Sequence, residues 1–100
     1  MAKLTNKQAR EAIHELREFT TGTGSLRGMT YVGDTGRMTI TEEREQLKQA
    51  SWDGSLEYVV YSYATPIAWV IDSTWIRSDE RHSVTTSKHA GLCPVTGTEA

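Results

Sequence analysis

The sequence predicts an α+β fold: an N-terminal amphipathic helix and a short second helix packed on one face of a small antiparallel sheet of three to four strands. Three observations predict it. Apolar residues recur at helical spacing near the N-terminus and, more thinly, over residues 41–51. The period changes to two from Leu56 onward. Between the later runs stand Thr65-Pro66 and Asp72-Ser73, connections too short for crossovers, so successive strands pair antiparallel.

The first helix opens at Thr5-Asn6-Lys7-Gln8, where a threonine followed three residues later by glutamine fits a capping box. Ala9, Ala12, Ile13, Leu16 and Phe19 line one face and charged residues the remainder, which predicts a helix over 6–20. The glycine-rich stretch 21–38 interrupts every periodic pattern and reads as a long connection anchored by Leu26, Met29, Tyr31 and Val32. A second helix over 41–51 follows from the threonines around Ile40, the first-turn carboxylates Glu42 and Glu43, and the stripe Ile40, Leu47, Ala50, with Trp52 closing that stripe before Asp53-Gly54 turns the chain.

The sheet is expected over 56–84. Leu56 to Tyr63 alternates Tyr58, Val60 and Ser62 on one face with Val59, Tyr61 and Tyr63 on the other. Pro66 has no N–H to donate, so a bend or bulge is expected before Ile67 to Ile71 resumes. A two-residue turn at Asp72-Ser73 would set Val70 opposite Trp75 and Trp69 opposite Ile76. A short extended piece, His82-Ser83-Val84, precedes a helical turn capped by Thr85 or Thr86 and stopped by Gly91 and Pro94, and a small, polar, fraying tail completes residues 85–100.

At 100 residues and 11.2 kDa the chain is expected to form one domain, 1–100, with one modest core. The net charge of −2 disfavours a duplex-coating protein, whose affinity rests on phosphate neutralisation. No apolar run is long enough to span a bilayer, so no membrane is expected as a partner. One cysteine, Cys93, excludes an internal disulfide. His82, His89 and Cys93 match no zinc spacing, so neither metal nor cofactor is expected. Covalent chemistry would need Cys93, or Ser87 beside His89, oriented by a third group that the sequence does not supply, so no enzyme is expected. The run Gly22 to Gly28 follows a helix instead of opening one, unlike a phosphate-cradling loop.

The most informative set is Tyr58, Tyr61, Tyr63, Trp69 and Trp75, because alternation distributes these rings over both sheet faces while the expected helices cover only one. Exposed rings of this kind are what a binding surface uses.

The segment Tyr58-Val59-Val60-Tyr61-Ser62-Tyr63-Ala64-Thr65-Pro66-Ile67-Ala68-Trp69, then Trp75, then His82-Ser83-Val84-Thr85-Thr86-Ser87-Lys88-His89, resembles a recurrent module of small, functionally uncharacterised proteins of phages that infect actinobacteria. That family carries a Tyr-Ser-Tyr-x-Thr-Pro-Ile-Ala segment before a tryptophan and a Tyr-Ser-Val-Thr-Thr-Ser-Lys/Arg-His segment, so this chain departs from it at His82. The opening Lys3 to Arg10 and Gly36-Arg37-Met38 are similar to such proteins as well. The resemblance implies a phage accessory protein acting in the host cytoplasm. The leading expectation is a non-enzymatic protein, dimeric with itself, that binds a host protein through the aromatic sheet face, with Tyr61, Tyr63, Trp69, Trp75, Arg77, Thr85, Thr86 and His89 as binding residues. The alternatives are single-stranded nucleic-acid binding, with bases stacked on the same rings, and capture of a small nucleotide or signalling molecule by an oligomer.

Overall fold

The computed structural model describes residues 3–21, 25–32, 38, 40–63, 65–79 and 88–100. A two-residue strand β1 (Lys3–Leu4) leads into α1 (Asn6–His14), then β2 (Phe19–Thr21), β3 (Leu26–Met29), α2 (Thr41–Asp53), β4 (Leu56–Ser62), β5 (Thr65–Ile71) and β6 (Thr74–Arg77). All six strands lie in chain order in one sheet. The β1–β2 pair is parallel, bridged by α1, and every other neighbour pair is antiparallel. The fold class is α+β as expected, with five antiparallel strands in place of three to four.

The capping box is present: the Gln8 N–H donates to Thr5 Oγ1 at 3.3 Å, and the Thr5 N–H donates to Gln8 Oε1 at 3.1 Å. The helix stops earlier than residue 20 because Leu16 takes a left-handed backbone, φ 54°. There the Arg17 N–H reaches Ala12 O at 2.9 Å and the Leu16 N–H reaches Ile13 O at 3.1 Å, a Schellman closure made without glycine. Leu16 packs against the core, which offsets the backbone strain that a branched side chain meets there. Phe19, spaced like a further helical position, instead begins β2.

The expected connection 21–38 contains β3. Gly28 stands opposite Phe19 on one side and Val60 on the other, so this glycine belongs to the sheet interior. A Cβ there would lie 1.9 Å from Tyr58 Oη and 2.5 Å from Phe19 Cε1. Residues 22–24 and 33–37 lie outside the described residues.

Helix α2 begins after Ile40, which makes no side-chain cap, and ends on Gly54 at φ 82°. Asp53 accepts from the Ser55 N–H and hydroxyl at 2.9 and 2.6 Å, and both bonds hold its carboxyl below its ordinary pKa. Glu43 accepts from the Ser78 hydroxyl at 2.5 Å and the Asp79 N–H at 2.8 Å, tying the start of α2 to the chain leaving β6.

The β5–β6 hairpin has the expected register, Val70 with Trp75 and Trp69 with Ile76. Its turn residues Asp72 and Ser73 sit at φ 50° and 64°, the twist a two-residue hairpin needs. The irregularity that Pro66 demands appears as a register shift between Val60 and Tyr61. The strand expected at 82–84 lies outside the described residues.

The helices take opposite faces of the sheet, not one. Ala9, Ala12 and Ile13 of α1 pack with Phe19, Tyr58, Val60, Ala68, Val70 and Trp75. On the other face Leu47 of α2 packs with Met38, Val59, Tyr61 and Trp69. The alternation of β4 assigns Tyr58 and Val60 to the first cluster and Val59 and Tyr61 to the second. Each face therefore has a cover. Residues 88–90 form a helical turn over the α1 side of the sheet, where Ala90, Leu92 and Cys93 join the first cluster. The segment expected to fray, after Cys93, is bonded along β6.

Candidate functional site

The eight residues expected to bind are not gathered on one exposed face. Trp69 and Trp75 are 0% and 1% exposed and Tyr61 is 4% exposed, so these three rings are core. Trp75 meets Tyr58 edge to face, with centroids 6.1 Å apart. Trp69 fills the space under Leu47 and Met38, and its indole N–H has no hydrogen-bond partner among the described residues. Tyr61 is roofed by the Arg27 guanidinium, 5.2 Å from the ring centre. The expectation of exposed anchors at these positions is corrected on both faces: α2 covers Tyr61 and Trp69, and α1 with residues 88–93 covers Trp75. Arg77 is half-buried, while Thr85 and Thr86 lie outside the described residues.

The structure does bring Tyr63 and His89 together. Tyr63 begins the β4–β5 turn with φ 57°, and that left-handed backbone swings its ring to 6.3 Å from the His89 ring, tilted by 42°. His89 Nδ1 lies 2.8 Å from Ser62 Oγ, and the Cys93 thiol points at the His89 carbonyl, 3.7 Å away. Ser62 belongs to the face of β4 that carries Tyr58 and Val60, so alternation places its hydroxyl toward residues 88–93.

A serine beside a histidine is the start of a nucleophile and base pair, and here both groups lie inside the fold. Ser62 and His89 are both buried, at 2% and 3% exposed. Burial holds His89 below its ordinary pKa, favouring the neutral ring that shares one hydrogen bond with Ser62. Burial also pushes the Cys93 thiol up to about 12, slightly opposed by Arg77, so no thiolate forms at neutral pH. The arrangement anchors residues 88–93 to β4 through a satisfied polar contact inside an apolar layer. No group of three His, Cys, Asp or Glu capable of holding a metal occurs among the described residues. A shallow depression of about 280 Å³ bordered by Arg10, Glu11, His14 and Glu15 lies on the exposed face of α1 and gathers no buried polar group.

Trp52, read from sequence as closing the α2 stripe, is 86% exposed. The signal that identifies it is helical phase: at 3.6 residues per turn it stands about 140° from Leu47 and about 160° from Ala50, the two buried positions of the helix. Tyr31 and Tyr63 are also exposed. The chain leaves β3 at the end of the sheet where α2 enters β4, so Tyr31 and Trp52 lie at one end, with Tyr63 and His89 at the other.

No curated protein and no solved structure matches the chain. The model of one family, described as a family of unknown function (DUF8033), matches residues 14–94, from the last turn of α1 to the residue after Cys93. That span includes β2 to β6, α2, the whole of the second core and the Ser62–His89 anchor, while Ala9, Ala12 and Ile13 of the first core precede it, and on it the chain belongs to the DUF8033 family.

Proposed function

We propose that this protein is a non-enzymatic binding protein, a phage accessory protein of the kind its Tyr58 to Trp69 segment resembles, and that it docks a host protein with Trp52 as the anchor. The observation that supports this reading is the contrast among the three tryptophans: two are wholly enclosed and the third stands out from α2. Tryptophan is enriched among the residues that dominate binding energy. Enclosing an indole removes about 150 to 250 Å² from water, about 4 to 6 kcal/mol at 25 cal/mol per Å² before the costs of association. No other exposed side chain described here offers as much. A platform for stacked bases would need Tyr61, Trp69 or Trp75 at the surface, where none of them lies.

The test is capture from host lysate by wild type, Trp52→Ser and Tyr63→Ser, with solution mass measured for each. Capture of a host protein that Trp52→Ser abolishes and Tyr63→Ser retains is the expected result. Capture unchanged by Trp52→Ser overturns the reading. A wild-type mass twice that of Trp52→Ser also overturns it, because a second copy would then occupy the indole.

A further inference from the structure

A sheet edge carries a row of unpaired N–H and C=O groups and pairs with any extended strand that reaches it. The outer edge of β6 is such a row, and residues 96–100 of the same chain lie along it. The Trp75 N–H donates to Thr98 O at 2.8 Å and the Ala100 N–H to Ser73 O at 2.8 Å, flanking an antiparallel bridge between Thr74 and Glu99. The Gly97 N–H donates to Trp75 O at 2.9 Å, and the Arg77 N–H to Thr96 Oγ1 at 2.9 Å.

The attachment is almost entirely main chain. Every residue from Val95 to Ala100 is exposed, Val95 included, so the segment brings little apolar surface to the edge. A peptide hydrogen bond that replaces one to water returns less than ordering a residue costs. The segment is therefore held loosely, and it is not itself a regular strand: Thr96 and Gly97 form a turn in which the Thr98 N–H donates to Val95 O at 3.1 Å, so only Thr98 to Ala100 pair in strand register, and a fully extended chain would pair with more of the edge. By contrast residues 88–93 are fixed by His89 and Cys93 in the core, so release of 95–100 leaves them in place. Pro94 separates the two.

We propose that the β6 edge, Ser73 to Arg77, is a docking track for an extended segment of a partner protein, which adds antiparallel to β6 by displacing residues 95–100. The track has a defined end, since beyond Arg77 the next outward amide, the Asp79 N–H, is already bonded to Glu43 at 2.8 Å. It suits a segment with small or polar side chains and an acceptor opposite Arg77, the features that Thr96-Gly97-Thr98 presents. This surface is separate from Trp52, and the proposal does not depend on it.

The experiment uses the full chain and a fluorescent peptide with the sequence of residues 94–100. In wild type the amides of Trp75, Gly97 and Ala100 should exchange together, at least a hundredfold faster than those of β4 and β5. Gly97→Pro deletes one edge bond and forbids the φ of 93° seen at Gly97, and it should raise peptide affinity at least tenfold. Thr96→Ala, which removes only the Arg77 contact, should raise it severalfold and serves where Gly97→Pro fails to fold. Exchange of those three amides at the rate of the central strands, or no peptide binding by wild type and either variant, overturns the proposal. So does a variant whose mass doubles without binding peptide, since the edge would then take a second copy.

Discussion

Replacing Gly28 by alanine is the sharpest test of how the α1 side of the sheet is packed. The added methyl would meet Tyr58 Oη at 1.9 Å and Phe19 Cε1 and Cδ1 at 2.5 and 2.7 Å, all closer than carbon contacts allow. Neither ring has room to yield. Tyr58 is fully buried, set edge-on against Trp75, and its hydroxyl donates to Arg17 O at 2.6 Å just after α1 ends; Phe19 is fully buried between α1 and the sheet. Overpacking of this kind costs about 1 to 3 kcal/mol. Pushing Tyr58 off Arg17 leaves its buried hydroxyl without an acceptor, which adds about 1 to 3 kcal/mol. The sum, about 2 to 6 kcal/mol, is a substantial part of the 5 to 15 kcal/mol typical of a small domain.

Urea unfolding followed by tryptophan fluorescence should show a lower midpoint with an unchanged slope, and thermal unfolding a fall of at least about 8 °C. Gly54→Ala is the control. Its Cβ meets nothing within 4 Å, so only the positive φ of 82° opposes it, at about 1 kcal/mol. In a Tyr58→Phe background the cost of Gly28→Ala should shrink by at least about 1 kcal/mol, because the nearest atom is gone while Phe19 remains. A Gly28→Ala midpoint within about 0.5 kcal/mol of wild type, or strict additivity with Tyr58→Phe, would refute the reasoning.

Three further outcomes are expected. Trp69→Phe should leave stability within about 1 kcal/mol of wild type, since a cavity cost near 1 kcal/mol is offset by removing a buried N–H that lacks a partner; a loss above about 2 kcal/mol would show that the N–H is satisfied. His89 has a folded pKa below its ordinary 6.5, so the unfolded chain takes up the proton first. Its contribution is complete above about pH 6.5, declines as pH falls below that, and levels off at the folded value, with a slope of at most about 1.4 kcal/mol per pH unit that His89→Gln should remove from denaturation midpoints. Cys93, buried with its pKa pushed up to about 12, should resist a thiol reagent at pH 8 in the native protein and react at once in urea; rapid native labelling would contradict its burial.

What the sequence revealed depended on whether one residue's neighbours were local. The capping box at Thr5 and Gln8, the Gly54 termination of α2, the alternation of β4 and the Val70–Trp75 register all follow from spacings of a few residues, and all are present. The end of α1 was hidden because Leu16 takes a conformation that glycine normally signals, and because Phe19 fits a helical stripe as well as a strand. The β2–β3 hairpin was hidden because its strands are three and four residues long and contain Gly28, whose reason lies in rings 9 and 30 residues away. The candidate site suffered most: whether Trp69 and Tyr61 are exposed depends on which face α2 covers, and no periodicity within α2 carries that information. The Ser62–His89 contact spans 27 residues, and only the parity of β4 hinted at the direction of the Ser62 hydroxyl.

The enclosure of the rings changes the kind of binding to expect under the proposed function. An 11.2 kDa monomer is expected to expose about 5,700 Å², and this one exposes 5817 Å², so one copy buries its share of surface without a mate. An obligate dimer would leave a broad apolar face open in the single chain; here both faces of the sheet are covered, by α1 with residues 88–93 and by α2. Among the described residues the large apolar side chains that project are separate from one another in sequence, Trp52 the most exposed, followed by Val95, Tyr31 and Tyr63, and one sheet edge is held by a main-chain strap. Surfaces of that form suit association in which the free protein is already stable and the partner supplies the missing contacts. Mutations at Trp52 or Gly97 should therefore change binding while leaving the unfolding midpoint within about 1 kcal/mol of wild type, whereas mutations at Trp69 or Gly28 can affect binding only through the fold.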